Sequence, residues 1–298
     1  MTSSDRQFTE TAQDTAPLVL EVDVNGGKIT ALDWGGTGPA VALLHPNGFC
    51  AGLYEPVAEA LTKFARPIAI DLRGHGASDA PTDINSYKFN DMAADVIAVL
   101  DSLNIDQAAG VGGSLGGAIA VVVDQLDPNR WSRLLLAEPV AFDLAQMPMD
   151  GPNPMAEAAR RRRPTFDSRD AMYAHYAKKE PLSELSPESL DAYVRWGSKV
   201  DDAGAHLACT PEIEALIFEA ASEPGGASLA WAHLDQLSCP TTIAAGSESF
   251  LPNMFEMQAT RANAELVVTS GGHFVLHEDT ARSVDLIAKH ALAIDIPQ

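Results

Sequence analysis

A serine between an apolar run and a helix-like run is the first place where this sequence could do covalent chemistry. Ser114 lies in Gly112-Gly113-Ser114-Leu115-Gly116, a G-x-S-x-G pattern that follows QAAGVG and precedes AIAVVVDQL. On such a strand-to-helix turn the chain bends too sharply for ordinary side chains on either flank, so glycines take the crowded positions. The serine hydroxyl then stands beyond the C-terminal edge of its strand. The following helix points free N–H groups and the positive end of its dipole at any negative charge developing there. A glycine-rich turn of this kind can also be purely structural or hold a phosphate. Acyl chemistry requires a general base as well. His273 in ELVVTSGGHFVLHED follows another apolar run and a glycine pair, and can take the serine proton and hand it to a leaving group. His277, one helical turn further on, would need the loop shifted to do the same. His175, His206, His233 and His290 have no motif around them and read as ordinary surface or core residues.

Elements that would position these residues are legible from periodicity. LVLEVDV (18–24) and KITALDW (28–34) alternate apolar and polar side chains around Asn25-Gly26-Gly27, a hairpin signal. Short apolar runs of the buried-strand kind follow at 40–44, 67–71, 107–112, 133–137, 240–245 and 265–269. Helical patterns lie between most of them, at 54–64, 90–103, 116–126 and 280–293. Alternating strand and helix predict a mostly parallel sheet flanked by helices on both faces, an α/β fold.

That alternation stops across 143–232. The stretch shows no convincing strand and reads as helices at 155–163, 168–179, 187–200 and 211–221, so it is expected to be a helical cap inserted in a core domain of residues 17–142 and 233–298. Residues 1–16 read as a flexible polar tail. Residues 160–199 carry nine of the twenty Lys and Arg, including the run 160–163, against six Asp and Glu. Such a basic patch would either attract an anionic substrate group or pair as a solvated face with the acidic core domain. Phe166, Met172, Tyr173, Tyr176, Tyr193, Trp196, Ile217 and Phe218 would line an acyl pocket or, at helical spacing, form plain core.

Composition excludes several classes. Hydrophobic residues at 46% can fill a sizeable core, and the net charge of −21 repels nucleic acid and anionic membrane surfaces. Cys50, Cys209 and Cys239 are far apart with no CxxC spacing, which argues against a disulfide framework or a structural zinc. No apolar run approaches the roughly 18 residues that span a bilayer, and the N-terminus lacks the order of a signal peptide. A cytoplasmic protein is the expectation, with a small-molecule substrate, no cofactor, no metal, no nucleic-acid or membrane partner, and a homodimer left open.

After the strand at 40–44 comes His45-Pro46-Asn47-Gly48-Phe49, and further on Asp71-Leu72-Arg73-Gly74-His75-Gly76-Ala77-Ser78. With G-x-S-x-G and the C-terminal Gly272-His273-Phe274-Val275-Leu276-His277-Glu278, these resemble the HGxP, DxRGxGxS and GHxxxxE segments of the α/β-hydrolase superfamily, in the same order. The resemblance runs from about residue 18 to 293. It implies Ser114 as nucleophile, His273 as base, and an oxyanion hole made by the backbone N–H groups of Asn47 and Leu115. Segment 71–79 would turn the chain and support the oxyanion loop. Two departures stand out: proline and glycine exchange places in HPNG, and the turn expected to carry the acid, Gly246-Ser247-Glu248-Ser249, holds serine where the family's G-x-x-D has aspartate. Two carboxylates can fill the gap. Glu138 leaves the preceding strand at the same sheet edge as Ser114 and one strand away, where some relatives carry the acid. Glu248 is one residue early, where a one-residue shift reverses the side chain. Glu138 is the preferred acid and Glu248 the alternative.

A serine nucleophile implies hydrolysis of a carboxylic ester, lactone or thioester through an acyl-enzyme. C–C bond hydrolysis or perhydrolysis on the same site is one alternative. A non-catalytic receptor on this fold is another, favoured by the missing acid.

Overall fold

Alternating side chains decide how the strands pack. In the sequence AVALL, Val41 and Leu43 point to one face of a sheet while Ala42 and Leu44 point to the other, and all four are fully buried. In the computed structural model, which describes residues 16–146 and 151–295, this run is one of eight strands in a single sheet. The first six strands are β1 (Leu18–Val24), β2 (Gly27–Asp33), β3 (Ala40–Leu44), β4 (Arg66–Ile70), β5 (Ala108–Gly113) and β6 (Trp131–Ala137). Three short strands follow, β7 (Thr165–Phe166), β8 (Ser198–Asp201) and β9 (Gly204–Leu207). The last two are β10 (Thr241–Gly246) and β11 (Glu265–Thr269). The large sheet runs β1-β2-β4-β3-β5-β6-β10-β11; β1 and β2 pair as the expected hairpin, β2 is antiparallel to β4, and every later pair is parallel. The tail expected over 1–16 lies, its last residue apart, outside the described residues.

Helices cover both faces. The chain forms α1 (Glu55–Leu61), α2 (Phe89–Ser102), α3 (Leu115–Leu126), α4 (Pro154–Arg160), α5 (Arg169–Tyr176), α6 (Pro187–Trp196), α7 (Pro211–Ser222), α8 (Ala227–His233), α9 (Pro252–Ala262) and α10 (Thr280–Leu286). One face packs α2, α3 and α9 through Val96, Leu100, Ile119, Val122 and Phe255. The other packs α1 and α10 through Val57, Leu61 and Leu286. No described helix is long and apolar enough to cross a membrane.

The stretch between β6 and β10 departs from its expected all-helical character. β7, β8 and β9 form a second, antiparallel sheet in the order β7-β9-β8. Each strand is four residues or fewer, too short to show a period-2 pattern. The helix expected over 187–200 accordingly ends at Trp196, and β8 begins after Gly197.

The basic run is paired within this stretch rather than with the core. Arg160 bonds Glu212 (3.0 Å) and Glu219 (2.7 Å), both on α7, and Arg163 lies 3.9 Å from Asp167. Arg162 is paired with Glu214 and donates to the hydroxyls of Tyr176 (3.1 Å) and Tyr193 (2.9 Å). Arg195 on α6, further along the basic patch, pairs instead with Glu55 on α1. The aromatic residues are divided in the same way. Phe166, Met172, Tyr176 and Tyr193 are buried together with Phe49, Leu53 and Phe274 of the core domain, Tyr173 and Trp196 pack on that cluster, Ile217 joins the main core, and Phe218 packs under α4.

Burial raises the Glu214 carboxyl above the usual carboxylate range, although Arg162 pulls it down. A lone carboxylate in that position would be far less tolerable than the pair. Arg162→Met is therefore expected to cost about 3 kcal/mol of stability, read from the urea midpoint, and Arg162→Met combined with Glu214→Leu to recover most of it. An equally large loss in the double variant would show that the pair is not the cause.

Candidate active site

The turn at Ser114 is built by close approach. A side-chain carbon at Gly112 would lie 2.5 Å from the Gly116 carbonyl carbon, and one at Gly116 would lie 2.2 Å from the Leu44 oxygen. Only at Gly113 is there ordinary room. With its flanks bare, the chain bends through Ser114 at φ 52 and ψ −114, a conformation that costs an L-residue about 1–3 kcal/mol. Backbone bonds hold it there. Ser114 N–H donates to the Ala137 carbonyl (2.8 Å), and its carbonyl accepts from Val140 N–H (3.0 Å). Ser114 keeps 9% of its surface, and its hydroxyl makes no hydrogen bond within 3.5 Å among the described residues.

Glu138 ends the neighbouring strand in a similar way. It has φ 47, is 1% exposed, and its N–H donates to Ala244 O (3.0 Å). Its Oε2 is 2.7 Å from His273 Nδ1. Gly246 N–H donates to Oε1 (2.9 Å) and Ser249 Oγ to Oε2 (3.0 Å). Facing a carboxylate, His273 Nδ1 carries the proton, so Nε2 presents a lone pair. The loop that carries His273 is fixed by Glu278, whose carboxylate accepts from the N–H groups of Gly272 (3.0 Å) and Phe274 (3.1 Å). Glu248, the alternative acid, is exposed and contributes only a backbone bond to Gly271 O (2.9 Å). His277 is buried with its ring 4.5 Å from that of Tyr54, and neither ring nitrogen has a partner among the described residues. Ser249 is the residue that sequence reasoning passed over. Its only signal was occupying the position where an aspartate was sought.

The loop after β3 is tied down by segment 71–79. His75 Nδ1 faces the Arg73 carbonyl (3.1 Å) and so carries the proton, leaving Nε2 to accept Gly48 N–H (3.0 Å). His45 works likewise, with Nδ1 on Pro46 O (2.8 Å) and Nε2 accepting Leu72 N–H (3.0 Å). Asp71 accepts Ala51 N–H (2.6 Å) and Ala77 N–H (2.9 Å). Asn47 Nδ2 donates to the Glu214 carbonyl (3.1 Å). Among the described residues neither Asn47 N–H nor Leu115 N–H donates a hydrogen bond within the protein. No group of three or more His, Cys, Asp or Glu among them could hold a metal ion.

Residues 41–286 match the family model described as the alpha/beta hydrolase family. The chain belongs to that family. It is 27% identical over 286 residues to an esterase of Mycobacterium tuberculosis, covering 93% of this chain and 91% of the esterase. It is 30% identical over 139 residues to 3-oxoadipate enol-lactonase 1 of Acinetobacter baylyi, 47% of each chain. Three mycobacterial relatives at 33% identity are matched over only 42% of their length, so the chain spans about half or less of several curated relatives. The crystal structure of E-2-(acetamidomethylene)succinate hydrolase superposes with a TM-score of 0.75 at 20% identity, over 92% of this chain and 98% of that one, which speaks for the fold.

As an α/β hydrolase, the chain shows a local cause for its HPNG departure. Gly48 has φ 78, which the ring of a proline at that position would forbid. A side chain there would also lie 2.7 Å from the Glu214 carboxyl carbon.

Burial lowers His75 to about 4 and His277 to about 3, from an ordinary 6.5. Between those values and 6.5 the unfolded chain binds protons that the folded chain does not, so stability falls as pH drops through this window. Asp71, raised by burial to about 6, works the other way, because the folded chain holds its proton more tightly between 3.8 and 6. His277, with no partner for either ring nitrogen among the described residues, contributes a loss of stability as pH falls from 6.5 to 4.5. Relative to the native protein, His277→Leu should lose less stability over that window in urea titrations; an unchanged pH dependence would count against a neutral buried imidazole at 277.

Proposed function

We propose that this hydrolase cleaves a carboxylic ester, lactone or thioester through Ser114, His273 and Glu138. The observation that carries the reading is the 2.7 Å contact between His273 Nδ1 and Glu138 Oε2, one strand away from a serine at φ 52. Ser114 Oγ attacks the acyl carbon as His273 Nε2 takes its proton. The oxyanion is received by the N–H groups of Asn47 and Leu115, which donate to no partner among the described residues. Collapse expels the alcohol or thiol, protonated by His273, and leaves an acyl-serine. Water, activated by the same imidazole, releases the acid.

Segment 143–232 acts in this reading as a cap that selects a small-molecule substrate, packed through Tyr176 and Tyr193 against the loops that carry Asn47 and His273. The esterase and enol-lactonase relatives support ester and lactone chemistry. A carboxylate in reach of His273 supports an enzyme over a binding protein, because the missing acid was the feature that favoured the latter.

A fluorophosphonate probe should label the native protein once per chain by intact mass, and Ser114→Ala should abolish the label. On p-nitrophenyl butyrate, Glu138→Gln is expected to lower turnover about 10³- to 10⁴-fold, and Glu248→Gln less than about twofold, as for an exposed charge. A native protein that resists the probe, or a reversed ranking of the two glutamates, would overturn the assignment.

A further inference from the structure

Ser249 occupies the turn after β10, and its hydroxyl is the third donor on the Glu138 carboxylate. The turn is held independently of its side chain, by Ser249 N–H on Gly246 O (3.1 Å), Ser247 N–H on Thr269 O (2.7 Å) and Glu248 N–H on Gly271 O (2.9 Å). Leu251 N–H donates to Ser249 Oγ at 3.3 Å. With that oxygen already accepting, the hydroxyl proton is free to point to Glu138 Oε2, an acceptor with no proton of its own to offer. Oε2 thereby receives two donors, Ser249 Oγ at 3.0 Å and His273 Nδ1 at 2.7 Å, while Oε1 takes Gly246 N–H at 2.9 Å.

We infer that Ser249 is a positioning residue, whose hydroxyl orients the Glu138 carboxylate and tempers its pull on His273. The inference rests on the triad proposed above. The geometry explains why a single hydroxyl matters. One donor on Oε1 leaves the carboxylate free to pivot about the Oε1 contact. A second donor on Oε2, arriving from the β10 turn, fixes the plane so that the remaining Oε2 lone pair faces the imidazole. The hydroxyl also draws electron density from the oxygen that Nδ1–H meets, so its removal makes Oε2 the stronger acceptor but a less well-aimed one. A longer acid at this position, Ser249→Asp, would set a second carboxylate against Glu138, which is 1% exposed.

Two readouts separate positioning from mere support of the turn. The first is the second-order rate of fluorophosphonate labelling at Ser114. The second is the far-downfield proton resonance of His273 Nδ1–H, assigned by its loss in His273→Gln. Ser249→Ala is expected to slow labelling about tenfold, the scale of one hydrogen bond to a charged group, and to move the resonance further downfield. Ser249→Thr, which keeps the hydroxyl, should restore both. Ser249→Cys, a weak donor of similar size, should lie between and serves if the alanine variant does not fold. Native labelling with an unmoved resonance in Ser249→Ala overturns the inference. So does a slowed rate that Ser249→Thr fails to restore while the resonance stays in place. Labelling that survives Ser114→Ala would instead overturn the triad itself, which distinguishes the two failures.

Discussion

Parallel register sets two strained residues side by side. Gly112 and Gly113 of β5 pair with Leu136 and Ala137 of β6, so the next residues, Ser114 and Glu138, leave adjacent strands at the same edge. Both have positive φ without being glycine, at 52 and 47. Each such residue costs on the order of 1–3 kcal/mol, and each is held by a bond to the next strand along: Ser114 N–H to Ala137, Glu138 N–H to Ala244. The sheet therefore extends one hydrogen bond past the regular strand while the side chain is turned out of it. The proposed nucleophile and its carboxylate are set by strand pairing, and the imidazole of the proposed triad comes from a loop.

That loop is short of intrinsic order, with Gly271 and Gly272 ahead of His273, and its geometry comes from its neighbours. Glu278 draws in the N–H groups on either side of His273, and the β10 turn bonds Thr269 and Gly271 through the N–H groups of Ser247 and Glu248. The 246–249 turn thus serves the site twice, by bracing the histidine loop with its backbone and the Glu138 carboxylate with Gly246 and Ser249. In the proposed triad its lack of an aspartate is a change of role, from supplying the acid to holding one that follows β6.

How much of this was legible follows from what each residue needed. The strands of the large sheet and the Ser114 turn were readable because their constraints are local: apolar alternation, and glycines flanking a bend. Glu138 was reachable by one further step, the register argument that placed it beside Ser114. Ser249 was not, because a serine in a turn has no pattern of its own, and its meaning depends on a carboxylate 111 residues away. The arginine run is a parallel case. The sequence left open whether it attracts an anion or pairs with the acidic core domain; its partners Glu212, Glu214 and Glu219 lie on α7, some fifty residues on, within the inserted stretch. The strands β7 to β9 were invisible because pairing, rather than their few residues, makes them strands.

The HPNG loop shows how a neutral histidine can aim a peptide group. The Pro46 carbonyl accepts from His45 Nδ1–H (2.8 Å) and from Phe49 N–H (3.3 Å). In a trans peptide the N–H points opposite to the carbonyl, so fixing Pro46 O fixes the direction of Asn47 N–H. His45 can do this only while uncharged, because its Nε2 must accept Leu72 N–H at the same time. Burial, reinforced by His75 nearby, holds its pKa well below 6.5 and keeps it in that state. On the far side of the loop, Tyr193 donates to Gly48 O (3.2 Å) and the Glu214 carboxyl fills the space where a side chain on Gly48 would lie. The donor that the proposed chemistry needs is thus set from below by two buried imidazoles and from above by the inserted segment. Substitutions under the loop and within α6 or α7 should therefore meet at the same peptide.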